Sequence, residues 1–448
     1  MEIKADLFSE VEMKYNSKNG ESQVTGILNP SAKKGFTTIK LQNGYNLSIQ
    51  NDDIISCEII STPKSQSQEK ITTTPKSELP NVTIIHTGGT IASKVDYKTG
   101  AVTAKFEPED LIDANPRLSD VANISAKKIG NMFSDDIRPQ HWNLMSAAIG
   151  DAFAQGADGV VVTHGTDTLH ITAAALSFAF CGKGGKTAGR VVVTGSQRSS
   201  DRGSTDATEN LLAAVYWAAY GDDVCGEKGD SVTIAMHESG SDGEIAIIPG
   251  CSARKMHTTK REAFSAINAR NIAIVQVKPS EISHEVQQWY SDCSPSQREV
   301  ETRPTQYSNH FKIPQLTANA WLTAEQIEAM ASIGASAIII HGTGLGHLPI
   351  DNPQKDAPEN DELWRALYRC ANREIPIIIT SQCINGPVDM NVYAKGRKQQ
   401  DMGLLGHGVT TSPDSIAVKV HWALCEGKDI AETLAKDLCG ENNQRLYN

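Results

Sequence analysis

The chain has 448 residues, a length that predicts two or three domains. Hydrophobic residues make up 39% and charged residues 21% of the chain, a balance that excludes an intrinsically disordered protein. The formal net charge of −11 argues against a protein whose main surface wraps a nucleic-acid backbone, although a partner protein could still hold a nucleic acid. Nine scattered cysteines without a CxxC pair exclude a disulfide-rich secreted scaffold, and the apolar runs are too short to span a membrane.

The first 80 residues predict a small β-rich module followed by a linker. Residues 1–60 carry β-branched residues in rough alternation, broken by the turn signals "NP", "NG" and "ND", and predict a small β-barrel, with a β-sandwich as the alternative. Residues 61–80 are rich in Ser, Thr, Pro and Lys, which is typical of a linker. The N-terminus shows neither secretory nor transit-peptide features, so we expect a cytoplasmic protein.

From residue 81 onward, β-rich runs that end in Gly or Thr alternate with helical patterns, which predicts two α/β lobes with mostly parallel sheets. We place the first lobe at 81–277 and a smaller second lobe at 316–448, joined by a weakly periodic segment at 278–315. A helix is expected to begin after Thr323, whose spacing from Gln326 matches a capping box, and to end at Gly334.

In open α/β sheets, ligands bind beyond the carboxyl ends of the strands. One such end is "NVTIIHTGGTIAS", in which Thr87 and Thr90 flank two glycines. The turn would leave backbone N–H groups free beside the Thr90 hydroxyl, which suits a nucleophile next to oxyanion donors. A strand-ending turn whose threonines only satisfy backbone groups is the alternative, and we expect that structural role for Thr87.

A second strand end, "THGTDT", places the hydroxyl of Thr166 beside the carboxylate of Asp167. A hydroxyl nucleophile needs a base, and a single carboxylate does not supply one efficiently. A lysine held near a carboxylate and a threonine can do so.

The pair "TGGTIAS" and "THGTDT" resembles the two signature motifs of the L-asparaginase family, and "ARKMHTTKREAF" resembles its third element. The resemblance covers roughly residues 81–448. It implies Thr90 as nucleophile, and Thr166, Asp167 and Lys255 as a second catalytic cluster.

The same resemblance implies further site residues. "NMFSDDI" looks like the family's substrate-clamping turn, in which Ser134 and Asp135 would hold the α-carboxylate and α-amino groups. Tyr97 is the candidate for the family's mobile-loop tyrosine. We expect the backbone N–H groups of the glycine-rich turns, at Gly89 and Gly165, to bind the developing oxyanion.

The N-terminal module, together with "SQRSSDRGSTDATENLLAA" and "TSQCINGPVDMNVYAKGR", resembles the archaeal GatD family, the D subunits of glutamyl-tRNA(Gln) amidotransferases. That resemblance implies a glutaminase whose ammonia reaches a partner, the E subunit of the amidotransferase, which amidates Glu carried on tRNA(Gln). It also implies a homodimer within a heterotetramer. We expect no cofactor or metal on this chain, with ATP and Mg²⁺ used by the partner.

Two alternatives stay open: an independent asparaginase or glutaminase with an accessory β-module, and a catalytically silent scaffold that recruits tRNA or a partner. Apparent insertions at 181–190 and 220–231 lengthen the chain between the second and third motifs. "GKGGKT" lacks the first glycine of a phosphate-binding loop and precedes a strand rather than following one. His341 and His347 lack metal-ligand spacing, so we expect hydrogen-bonding roles for them.

Overall fold

The computed structural model describes residues 9–18, 20–29, 31, 33–41, 46–61, 76–89, 93–96, 101–104, 115–199, 205–222, 224, 226–295 and 297–443. Most of the predicted linker therefore lies outside the described residues. So do Thr90 and Tyr97, two of the predicted site residues.

The N-terminal residues form five strands: β1 (Glu10–Ser17), β2 (Gly20–Asn29), β3 (Phe36–Lys40), β4 (Asn46–Gln50) and β5 (Ile54–Ser61). They pair into an antiparallel sheet with the order β4-β3-β2-β1-β5. Its apolar core is small and centres on Val11, Met13 and Ile39, which are fully buried. Within the described ranges, β4 and β5 form the two edges and do not pair with each other. The predicted β-rich module is thus present as a sheet.

The main sheet has eight strands: β6 (Asn81–Gly88), β9 (Asn123–Met132), β10 (Gly159–Thr163), β11 (Arg190–Thr194), β12 (Val232–His237), β13 (Glu244–Pro249), β16 (Ala273–Val277) and β17 (Ile282–Val286). Their order is β17-β16-β13-β12-β11-β10-β6-β9. The pairs from β12 to β9 are parallel, whereas those from β12 to β17 are antiparallel, so the sheet is mixed rather than mostly parallel. The short turn from β12 to β13 explains the change, because a parallel crossover needs a dozen or more residues.

In the described ranges, the remaining strands form two hairpins and a second, all-parallel sheet. The hairpin strands are β7 (Ser93–Asp96), β8 (Ala101–Ala104), β14 (Ala253–Lys255) and β15 (Phe264–Ala266), and the second sheet contains β18 (Gln315–Thr317), β19 (Ile338–Gly342) and β20 (Ile377–Ser381). The second sheet has the order β18-β19-β20. Strand β17 of the main sheet falls inside the segment that was predicted to connect the two lobes.

The helices are α1 (Leu118–Val121), α2 (Pro139–Ala154), α3 (Leu169–Cys181), α4 (Ala207–Tyr220), α5 (Gln288–Ser291), α6 (Ala324–Ser332), α7 (Pro358–Ala371), α8 (Ala394–Asp401), α9 (Pro413–Cys425) and α10 (Ile430–Ala435). Helices α2 and α3 cover one face of the main sheet and α4 covers the other, which explains why its central strands are unbroken apolar runs. Val160 and Val162 of β10 pack with α2 and α3, whereas Val161 packs with α4 on the opposite face. The helix predicted after Thr323 is confirmed as α6, with the capping box in place.

In the described part of the chain, none of these helices combines the length and the apolarity that crossing a lipid bilayer requires.

Candidate active site

Three loops of the candidate site follow neighbouring parallel strands. Thr163, the last residue of β10, is in register with His86 of β6 on one side and with Thr194 of β11 on the other. The loops "TGG", "HGTDT" and "GSQR" therefore leave the same edge of the sheet side by side. This is the edge at which α/β folds bind ligands.

The first two loops touch through their glycines. Gly89 has φ +86°, and a Cβ placed on it would lie 2.5 Å from the backbone nitrogen of Gly165. Both the conformation and the contact therefore require glycine. Thr87 donates its hydroxyl hydrogen to the carbonyl of Thr163 at 2.9 Å, which is the structural role expected for it.

The predicted Thr-Asp-Lys cluster assembles around one amine. The Nζ of Lys255 donates to Oγ1 of Thr166 at 2.9 Å and to Oδ1 of Asp167 at 2.8 Å. The Lys255 side chain is only 10% exposed, whereas that of Asp167 is 69% exposed. The amine is thus buried against the hydroxyl, and the carboxylate faces the solvent side of the site.

A neighbouring loop adds a residue that sequence reasoning missed. Thr166 donates to Oε1 of Gln197 at 3.4 Å. Gln197 follows β11, and its backbone nitrogen donates to both carboxylate oxygens of Asp206. Asp206 is fully buried and also accepts hydrogen bonds from the Ser196 hydroxyl and the Arg198 backbone nitrogen. The sequence signal for Gln197 was its place after a strand, in one of the loops where ligands are expected.

Ser134 lies against the second loop. Its Oγ accepts from the backbone nitrogen of Asp167 at 3.1 Å, and its carbonyl accepts from the hydroxyl of Thr168 at 2.5 Å. A Cβ on Gly165 would lie 2.9 Å from this Oγ. Ser134 therefore contacts the loop that carries Thr166 and Asp167. The side chain of the next residue, Asp135, is exposed.

A buried histidine fixes the course of the second loop. His164 Nδ1 lies 2.7 Å from the carbonyl of Gly165, and Nε2 lies 2.9 Å from the Thr172 hydroxyl. Since a carbonyl only accepts, the Nδ1 atom carries the hydrogen. Burial lowers the pKa of His164 to about 4 despite that hydrogen bond. The ring is therefore neutral at physiological pH.

An open cavity of about 430 Å³ adjoins the Lys255–Asp167 pair. On its wall, Oδ2 of Asp414, from α9, lies 2.9 Å from Arg254 and 3.2 Å from His170. Burial raises the pKa of Asp414, but His170 and Arg254 outweigh burial and hold the pKa below its usual value. The cavity is thus lined by several charged groups beside the Lys255–Asp167 pair.

A larger cavity of about 740 Å³ lies beside Trp364 and Tyr368 of α7. The described residues that line it are not among the predicted site residues, so we do not associate it with the chemistry of the site. His341 hydrogen-bonds Thr380 at 2.7 Å and Gln315 at 3.0 Å. Hydrogen bonding is the role expected for that histidine.

Family models match most of the α/β part of the chain. The model for the asparaginase N-terminal domain covers residues 81–289, and that for the glutaminase/asparaginase C-terminal domain covers residues 312–435. Two solved asparaginase structures are similar. The thermostable L-asparaginase of Thermococcus kodakarensis has a TM-score of 0.65 at 26% identity, covering 81% of this chain and 99% of that one. L-asparaginase I of Vibrio cholerae has a TM-score of 0.64 at 25% identity, with 82% and 99% coverage.

Curated relatives extend the similarity to nearly the whole chain. The D subunit of glutamyl-tRNA(Gln) amidotransferase from Methanobrevibacter smithii is 34% identical over 98% of both chains. The protein of the same name from Thermococcus kodakarensis is 36% identical over 93% of this chain and 89% of its own length. With its asparaginase-like α/β fold and an N-terminal sheet in addition, this chain belongs to the GatD family, the D subunits of glutamyl-tRNA(Gln) amidotransferases.

Proposed function

We propose that this chain is the glutamine-hydrolysing, ammonia-generating component of a tRNA-dependent amidotransferase that converts Glu-tRNA(Gln) to Gln-tRNA(Gln). The observation that carries the proposal is the amine of Lys255 bonded to both Thr166 and Asp167, at the strand edge where Gly89 meets Gly165. A hydroxyl, a carboxylate and a buried amine in one cluster suit the proton transfers of acyl transfer.

In the proposed reaction, Thr90 Oγ attacks the side-chain amide carbon of glutamine. Its proton passes through Thr166, Asp167 and Lys255 to the amide nitrogen, the C–N bond breaks, and ammonia leaves an acyl ester on Thr90. Water then adds to the ester carbon, and the C–O bond breaks to release glutamate and restore the hydroxyl. Backbone N–H groups at Gly89 and Gly165 stabilise the oxyanion, at about 3 kcal/mol for each well-placed donor.

Substrate binding and assembly belong to the same proposal. Ser134 and Asp135 hold the α-carboxylate and α-amino groups of glutamine, and Tyr97 serves as the catalytic tyrosine of the family's mobile loop. A partner, the E subunit of the amidotransferase, binds ATP and Mg²⁺ and amidates the glutamyl group, and two copies of each protein form a heterotetramer. The five antiparallel N-terminal strands are proposed to close into a small barrel around their shared core.

Ammonia release from glutamine and from asparagine tests this function, with the purified chain alone and then with the E subunit, ATP, Mg²⁺ and Glu-tRNA(Gln). We expect low release alone, a rise with the complete set, and formation of Gln-tRNA(Gln). Rapid hydrolysis that is unchanged by these additions would instead identify an independent amidohydrolase.

Thr90→Ala tests the chemistry itself, with Thr90→Ser as the matched variant that keeps a hydroxyl. We expect Thr90→Ala to lose ammonia release and Thr90→Ser to retain a part of it. Near-normal activity of Thr90→Ala would remove the nucleophile from the proposal, and absence of activity in the parent chain under every condition would favour the silent scaffold.

A further inference from the structure

A second cluster of polar side chains lies at the end of β12. Glu209, His237 and Asp242 each bring one ligand atom within 4.8 Å of the other two. His237 ends the strand, Asp242 lies in the following turn, and Glu209 lies in the first turn of α4. Glu209 is distant in the chain from His237 and Asp242, and for that reason no motif in the sequence predicts the cluster.

The tautomer of His237 follows from its neighbour. Its Nδ1 lies 2.6 Å from Oδ1 of Asn210. The other amide atom, Nδ2 of Asn210, donates to the carbonyl of Gly195 and to the carboxylate of Asp206, which fixes Oδ1 toward the histidine. Nδ1 therefore carries a hydrogen, and in the neutral ring Nε2 has a free lone pair. Histidines that bind metals through one ring nitrogen are commonly oriented by a hydrogen bond of this kind from the other.

The contact between His237 and Glu209 does not have the geometry of a hydrogen bond. Nε2 lies 3.1 Å from Oε2 of Glu209, yet this fully buried nitrogen has no hydrogen-bond partner among the described residues. Two ligands of one dication, each about 2.1 Å from it, are about 3 to 3.5 Å apart. Their lone pairs then point at the ion and not at each other, which agrees with the lack of a hydrogen bond between Nε2 and Glu209.

The charges around the cluster favour a cation. Oε2 of Glu209, the carboxylate oxygen nearest Nε2 of His237, accepts from the backbone nitrogen of Gly243 at 2.9 Å. Arg261 contacts Oδ1 of Asp242 at 2.5 Å, and Asp242 is 75% exposed. The cluster thus contains two carboxylates, of which Asp242 is paired with the Arg261 guanidinium through one of its oxygens.

Although the sequence led us to expect no metal on this chain, we propose that Glu209, His237 and Asp242 bind a first-row transition-metal dication of the Zn²⁺, Co²⁺ or Mn²⁺ type. One imidazole and two carboxylates suit these ions, and three protein ligands leave further positions for water. The site is separate from the proposed glutaminase site, but Asn210 connects it to Asp206 and so to the loop that holds Gln197. A bound ion would stabilise the conformation of the loop that holds Gln197.

Titration of the full chain with Co²⁺ after EDTA treatment tests the site, read by visible absorption, with Zn²⁺ as the competitor in calorimetry. We expect one equivalent to bind, without the thiolate charge-transfer band that a cysteine site would give. His237→Ala should weaken binding at least 100-fold, and Asp242→Asn, at an exposed position, about tenfold. His284→Ala is the matched control, since it removes another histidine that lies beside a carboxylate, that of Asp222.

Three results would overturn the proposal: no stoichiometric binding by the parent chain, binding with a thiolate band, or binding that neither His237→Ala nor Asp242→Asn weakens. In the first case, nitrogen NMR showing hydrogens on both ring atoms of His237 would identify a buried imidazolium paired with Glu209 instead. Because Asp242→Asn changes an exposed side chain, it keeps the test decisive if His237→Ala fails to fold.

Discussion

Asp414 forms an ion pair with Arg254 across the candidate site, with 2.9 Å between Oδ2 and Nη1. Arg254 immediately precedes Lys255 in β14. The same oxygen of Asp414 lies 3.2 Å from Nε2 of His170, three residues after Asp167. One carboxylate on α9 therefore holds both chain segments that carry the Lys255–Asp167 pair.

Asp414→Asn should lower kcat for ammonia release by about 10- to 100-fold, because small displacements of catalytic groups cost this much. KM should change less, since Asp414 acts through Arg254 and His170. Asp351→Asn is the control: that aspartate is likewise paired with a basic side chain, accepting from Lys398 at 2.7 Å, and it lines the larger cavity beside Trp364. An unchanged kcat in Asp414→Asn would show that the ion pair does not position Lys255.

Lys255→Met keeps the length of the side chain and removes its amine. The hydroxyl of Thr166 and the carboxylate of Asp167 both lose their shared donor. Positioned acid–base groups contribute about 10²- to 10⁴-fold to rates, so we expect kcat to fall within that range. Lys260→Met, at an exposed lysine five residues further on, should leave ammonia release unchanged. Equal activities of the two variants would exclude Lys255 from the chemistry.

The contact between Gly89 and Gly165 leads to a paired glycine experiment. Gly89 and Gly184 have nearly the same φ, +86° and +89°, but a Cβ on Gly184 would meet open space. Left-handed backbone costs a residue with a Cβ about 1 to 2 kcal/mol at either position. Gly184→Ala should therefore lose only that much stability and keep its activity.

Gly89→Ala should lose more stability than Gly184→Ala and most of its ammonia release, because the new Cβ must displace the Gly165 backbone. Thermal unfolding and ammonia release are the measurements. Similar behaviour of the two variants would mean that the two loops are not held by this contact.

The parts of the fold and site that the sequence predicted are those carried by local patterns. Buried runs such as that around Val161 predict strands, and the capping box predicts the start of α6 at its observed residue. The mixed order of the main sheet escaped prediction because it depends on one short turn. Gln197, Asp206 and Asp414 escaped because they reach the site through contacts between distant segments. The roles of Thr90 and Tyr97, and the domain boundaries, remain predictions.

His164 should make stability depend on pH below neutrality. Its folded pKa of about 4 lies below the ordinary 6.5, so the unfolded chain binds a proton that the folded chain rejects. The contribution of the neutral His164 ring to the free energy of unfolding is therefore complete above pH 6.5 and is lost as pH falls from 6.5 toward 4. The shift corresponds to about 3 kcal/mol. The main cause of the lowered pKa is burial. In addition, Nε2 accepts the hydroxyl hydrogen of Thr172, and a proton on Nε2 would disrupt this hydrogen bond.

Urea unfolding of the parent and of His164→Gln at several pH values measures this contribution. The variant should be less stable at pH 7, because the bonds to Gly165 and Thr172 are disturbed. It lacks the titrating group, however, so the two unfolding free energies should converge as pH falls toward 4. A constant difference across this range would show that His164 takes up a proton as readily in the folded chain as in the unfolded one. The second loop of the candidate site would then not depend on a neutral imidazole.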